Sequence, residues 1–160
     1  MTQWTNNTTY IETLNTMLPG LGQFAFPASQ NASANANTLD DYEEGTFTPN
    51  IGGSATYTGQ FGNYRKIGAS VAIQIQLTIN AIGTGSTGVI SGLPFSANGG
   101  YAGSVGYYSG SATNYTFVSC TVATTQLTLT AIAAAGATMT TPAVFFANGA
   151  SVYASSTYFV

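Results

Sequence analysis

The sequence has no histidine, a single cysteine and only two basic side chains, Arg65 and Lys66, among 160 residues. A lone Cys120 excludes an intrachain disulfide, and without histidine no conventional structural zinc site can be assembled. Its neighbours Phe117, Val118 and Val122 mark Cys120 as a small buried apolar residue rather than a reactive thiol. Two cations against five acidic residues, a net charge of −3, leave no electrostatic footprint for nucleic acid and nothing to steer the chain to an anionic membrane. No apolar run reaches the length of a membrane span. The start Met1-Thr2-Gln3-Trp4 lacks the basic segment and apolar stretch of a secretory signal, so none is expected, and the Asn-x-Ser/Thr matches at Asn7, Asn31 and Asn114 carry little meaning. No nucleophile, base and acid can be combined, because the thiol is alone and Lys66 has no Ser-x-x-Lys context. The expectation is a protein without catalytic residues, metal or cofactor.

What is present is β chemistry. A hydrophobic fraction of 44% with 19 glycines, in a chain long enough for one well-buried domain, indicates a globular β protein whose surface is built from Thr, Ser, Asn and Gly. Charge is concentrated: Asp40, Asp41, Glu43 and Glu44 are four of the five acidic residues. Such grouping costs self-repulsion, on the order of 1 kcal/mol per close pair in water, less once salt screens it. This stretch divides the chain into an N-terminal arm and linker, residues 1–38, and a domain, residues 39–160.

In the arm, Tyr10, Ile11, Leu14, Met17 and Leu18 fall along one face of a short helix expected at about residues 9–18. Thr9 and Glu12 form a capping-box pattern before it, and Pro19-Gly20 stops it. A helix this short is marginal alone, so its apolar face must dock on its own domain, on a symmetry mate or on another protein. The run from Ala28 to Asn37 has too little apolar surface for a core of its own and reads as a tether.

Beyond Gly45 the period becomes two. In residues 70–81, Val71, Ile73, Ile75, Leu77 and Ile79 alternate with Ala72, Gln74, Gln76, Thr78 and Asn80, giving one buried and one polar face. Further strands are expected near residues 46–51, 55–58, 63–66, 88–93, 101–108, 115–122, 126–132, 143–147 and 151–160. The last two are read as a terminal hairpin about Asn148-Gly149. Many short strands without intervening helices predict an all-β fold, an antiparallel two-sheet sandwich of jelly-roll type preceded by the helical arm.

Several motifs carry competing readings. Gly83-Thr84-Gly85-Ser86-Thr87-Gly88 matches a dinucleotide pattern, yet a strand follows it instead of a helix, so it reads as a turn. Asp40, Asp41, Glu43 and Glu44 lack a carboxylate elsewhere in the domain to face across a glycosidase cleft. Their spacing is not that of an EF-hand loop, which leaves calcium a minor alternative. The favoured reading pairs part of this cluster with Arg65 and Lys66, fixing the start of the domain against its early strands; a solvated acidic turn is the plainer alternative. Tyr101, Tyr107, Tyr108 and Tyr115 suit sugar stacking as well as packing, with glycan contact ranked second.

A resemblance follows from several of these pieces. Phe26-Pro27-Ala28-Ser29-Gln30, then the run from Asn35 to Pro49, then Gly62-Asn63-Tyr64-Arg65-Lys66-Ile67-Gly68, Ile90-Ser91-Gly92-Leu93-Pro94-Phe95 and the terminal Ser156-Thr157-Tyr158-Phe159 occur in that order. Together they resemble a β-rich module of virion-surface proteins of tailed bacteriophages, found in tail fibres, tailspikes and head knob or decoration proteins. The resemblance implies a homotrimer, made in the host cytoplasm and displayed on the virion surface. It also implies a grip on another virion protein, whether capsid, cement or tail, for which Tyr10, Ile11, Leu14, Met17, Leu18, Phe24 and Phe26 of the arm would supply apolar contacts. A non-enzymatic head knob or decoration protein is the leading expectation. The alternatives are a tail-fibre tip that binds host surface glycan and, last, a polysaccharide-degrading enzyme working with the carboxylates of residues 40–44.

Overall fold

The computed structural model of the chain describes residues 25–35, 37–141 and 144–160. The helix expected near residues 9–18 and the arm residues Tyr10, Ile11, Leu14, Met17, Leu18 and Phe24 lie outside these. Among the described residues there is no helix. Eight strands follow in order: β1 (Tyr42–Phe47), β2 (Thr56–Ile67), β3 (Ser70–Ala81), β4 (Val89–Ser91), β5 (Ala97–Ser109), β6 (Phe117–Thr124), β7 (Gln126–Ile132) and β8 (Ser151–Phe159). The all-β expectation holds. Where two packed sheets were expected, the strands form one antiparallel sheet in the order β1-β2-β3-β8-β5-β6-β7-β4, strongly curled on itself.

The reason lies in β8. It pairs with β3 on one side and β5 on the other, so that Ser156 stands opposite Ile73 and opposite Gly103 and the ladder never breaks. A Cβ on Gly103 would stand 2.6 Å from Cys120 Sγ and 2.7 Å from the Ser155 carbonyl, so only glycine allows β5 to approach this closely. The sheet rolls until its two edges touch. Just past β1, Asn50 exchanges backbone hydrogen bonds with Ser91 of β4, at 3.0 and 2.7 Å.

The interior is the side-chain set that alternation selects. Val71, Ile73, Ile75, Leu77 and Ile79 are 0–3% exposed, and Val118, Cys120, Val122, Leu127 and Leu129 face them from β6 and β7. Each such aliphatic side chain contributes about 1.5–3 kcal/mol by leaving water. Tyr158 is fully buried with its hydroxyl donating to the Phe95 carbonyl at 3.1 Å, which satisfies its one polar atom.

Two local differences from sequence expectation have clear causes. Residues 56–58 and 63–66 belong to one strand, β2, because Gly59 and Gly62 lie within the ladder instead of breaking it, and Ala55 stands just before it. Phe47 lies over Gly62, and Tyr64 lies over Gly45, each ring taking the space that the facing glycine leaves. The segment about Phe145 and Phe146 is not half of a terminal hairpin. Both rings are buried, which a strand with one polar face cannot arrange, and both backbone N–H groups donate to the Thr87 carbonyl.

Candidate functional site

Two features stand out: the clasp that receives the N-terminal chain, and the outward face of the sheet. At the clasp, the β1–β2 register sets Glu43 opposite Lys66, Glu44 opposite Arg65 and Gly45 opposite Tyr64, so the acidic run meets the chain's only two cations. Lys66 Nζ donates to Asp41 Oδ2, with both residues only 6% exposed, and sits 5.6 Å from the centre of the Phe95 ring. The ring of Tyr64 meets the same Phe95 edge-on at 5.3 Å. Its hydroxyl donates to Glu43 Oε1, and that bond to a carboxylate, with burial adding to it, pushes the Tyr64 pKa up to about 12. Outward, Arg65 Nε stands 3.7 Å from Glu44 Oε2, which also accepts from the Tyr42 hydroxyl at 2.8 Å. Asp40 Oδ2 accepts from the Ser33 N–H at 2.8 Å, and this bond holds the Asp40 pKa below its usual value.

The two ion pairs differ in kind. The exposed Arg65–Glu44 pair contributes about 0–1 kcal/mol and serves orientation. The buried Lys66–Asp41 pair is one in which loss of either partner leaves an uncompensated charge inside the protein. Phe26, the one described residue of the proposed anchoring set, lies half-buried with its ring 6.2 Å from that of Tyr42, beside a hollow of about 310 Å³ that Lys66 and Phe95 also line. Among the described residues no group of three His, Cys, Asp or Glu side chains converges as a metal site. Cys120 is buried, and desolvation pushes its thiol pKa up to about 11.

The four tyrosines considered for glycan contact separate. Tyr115 stacks on Phe145 at 5.7 Å and donates to the Val144 carbonyl at 2.9 Å. Tyr108 packs 6.0 Å from Phe145 and donates to the Tyr115 carbonyl at 2.7 Å. Tyr101 packs against Tyr158 and Phe159 and donates to Asn98 Oδ1. Only Tyr107 stands out in water, its ring 5.0 Å from that of Tyr153 on β8. A bulge between Val105 and Tyr107 decides this. Val105 packs against the core, so strict alternation would have sent Tyr107 inward and Tyr108 outward; the extra residue, Gly106, reverses both.

The outward face is ordered in rows set by the register. Phe61, Gln76, Tyr153 and Tyr107 form one row across β2, β3, β8 and β5, with Gln76 Nε2 donating to the Tyr153 hydroxyl at 3.2 Å. Two residues along, Thr46, Asn63, Gln74, Ser155 and Ser104 form a second, polar row. Beyond it Glu44, Arg65, Ala72 and Thr157 form a third. The second and third rows line a trough of about 1060 Å³, and a further hollow of about 320 Å³ continues it toward Phe61 and Tyr153. Sequence reasoning named Gln74 and Gln76 only as a polar face and missed Phe61, Asn63, Ser104, Ser155 and Tyr153 altogether. The alternation of residues 70–81 was the available signal, but which strands flank β3, and in what register, is not written in any local pattern. No known protein family, curated protein or solved structure matches the chain at a significant level.

Proposed function

We propose that this chain is a non-enzymatic structural protein of the outer surface of a tailed bacteriophage particle, a trimeric head knob or decoration protein held by its N-terminal arm. The observation that carries the reading is the clasp. The two most specific pieces of the resemblance, the acidic run of residues 40–45 and the stretch Tyr64-Arg65-Lys66-Ile67-Gly68, are far apart in sequence yet form one bonded unit, through Lys66 with Asp41, Tyr64 with Glu43, and the Gly68 N–H donating to the Asp41 carbonyl at 2.9 Å. A pull on the arm would therefore load a buried ion pair and a paired strand instead of a free loop.

The carboxylates that a polysaccharide-degrading enzyme would need are engaged in this unit, which weighs for a structural role. Labelling intact particles with an antibody against the domain is expected to decorate heads, and a variant lacking residues 1–38 is expected to fold but to be missing from particles. Signal confined to tails would reject the head assignment, and full incorporation without the arm would reject the anchor. Light scattering on the purified protein should give three chains per particle. The tail-fibre alternative is favoured by one observation, the exposed Tyr107–Tyr153 pair.

A further inference from the structure

The outward face of the sheet carries chemistry that the fold itself does not use. Tyr107, Tyr153 and Phe61 are 48%, 40% and 49% exposed on one row of that face. One pleat period away, about 7 Å along each strand, the side-chain amides of Asn63 and Gln74 make no hydrogen bond to another described residue. Aromatic faces beside these amides, and beside the Ser104 and Ser155 hydroxyls that bond one another at 3.0 Å, match the two-sided surface of a pyranose, which has an apolar C–H face and a hydroxyl-bearing edge. The floor of the trough is low because Ala72, Ser104 and Ser155 are small. From β1 to β5 the trough crosses five strands, or four spacings of about 4.8 Å, roughly 19 Å, which fits an extended oligomer better than a single sugar.

We propose that this trough, with the aromatic row along its side, is a binding site for a neutral polysaccharide laid across the strands, its C–H faces on Tyr153 and on Tyr107 beside it and its hydroxyls bonded to Gln74 and Asn63. Charge selects the class. The only cation on this face, Arg65, already faces Glu44, and a net charge of −3 repels an acidic polymer. The site does not depend on the head assignment, but it shares the Tyr107–Tyr153 pair with the tail-fibre alternative and deepens that reading; antibody labelling of particles tests the location, and the titration below tests the site.

The test is an NMR titration of the isotope-labelled full chain with neutral hexasaccharides of α-1,4-glucan, α-mannan, β-1,3-glucan and N-acetylglucosamine, with an alginate hexamer as the anionic control. At least one neutral probe is expected to shift the Gln74 and Asn63 side-chain amide signals saturably, with no such shift from alginate. Affinity should fall about tenfold or more in Tyr153→Ala and in Gln74→Ala. It should be unchanged in Phe117→Ala, an exposed aromatic outside the trough. Wild-type unfolding midpoints in Tyr153→Ala and Gln74→Ala would attribute their losses to the site. Failure of every neutral probe to saturate overturns the proposal, as does binding that survives both Tyr153→Ala and Tyr107→Ala. So does a Tyr153→Ala variant that changes only the oligomeric state, which would make this face a contact between copies.

Discussion

Lys66 concentrates more dependence than any other polar residue described. It is one of two cations in the chain, it is buried, and its partner Asp41 is buried with it. Replacing it by alanine strands the Asp41 carboxylate, and a loss of about 3–5 kcal/mol is expected in urea unfolding. Replacing both partners with apolar residues of similar volume, Lys66→Met with Asp41→Leu, should restore most of that loss, because the penalty comes from the orphaned charge. An equal loss in the single and double variants would show that the pair is not what Lys66 contributes. Cys120 offers a second check at this scale. With its thiol buried and its pKa raised to about 11, it should resist thiol reagents near pH 8 in the native protein and react at the rate of unfolding. Its burial was legible from its apolar neighbours alone. The burial of Lys66 was not, since a pairing partner can be guessed from sequence but the depth at which the pair sits depends on Phe95, which arrives from a distant loop.

Among the elements, legibility followed regularity. The strand Ser70–Ala81 was readable to its ends because both its faces keep period two, and Gln126–Ile132 likewise. β5 was legible as a strand over residues 101–108, but which way its side chains face beyond Val105 was not, because one inserted glycine shifts every side chain after it to the other face. β2 was split in expectation because glycine normally weakens a strand; here Gly62 is covered by the Phe47 ring of the facing strand and Gly59 by Thr78. That filling yields a prediction. A Cβ on Gly62 would meet the Phe47 ring at 2.7 Å, so Gly62→Ala should destabilise by about 1–3 kcal/mol in urea, and Phe47→Leu should relieve part of it. If Gly62→Ala is neutral, the ring does not lie where the structure puts it. The trough shares this history: its residues come from β1, β2, β3, β5 and β8, and the long-range register that assembles them had no local signal.

For the molecule as a whole, acid and alkali should act on different bonds. Tyr64, Tyr158 and Cys120 all have raised pKa values in the fold. A raised value contributes stability that is complete below the unfolded pKa and is lost as pH climbs through the folded one. Stability should therefore decline above about pH 9, where an ordinary thiol begins to ionise, and continue falling toward pH 12 as Tyr64 titrates. Tyr64→Phe should flatten the upper part of that decline in pH-dependent urea unfolding; an unchanged slope would sink the assignment. Asp40 works in the opposite sense. Its lowered pKa means that the tie to Ser33 is present above the ordinary aspartate value of 3.8 and is released as pH falls through the lower folded one. Exchange of the Ser33 amide proton should report that release.

The position of β8 reaches beyond the finished structure. The strand that joins the two halves of the sheet is the last of the eight to leave the ribosome, so every earlier strand waits with β3 and β5 unmated along one side. Folding during synthesis should therefore be postponed until β8 has been made. Chains truncated after residue 147 should be captured by chaperones or aggregate, whereas supplying residues 148–160 as a separate peptide should recover soluble protein. Few half-finished copies able to compete with complete ones would then be released.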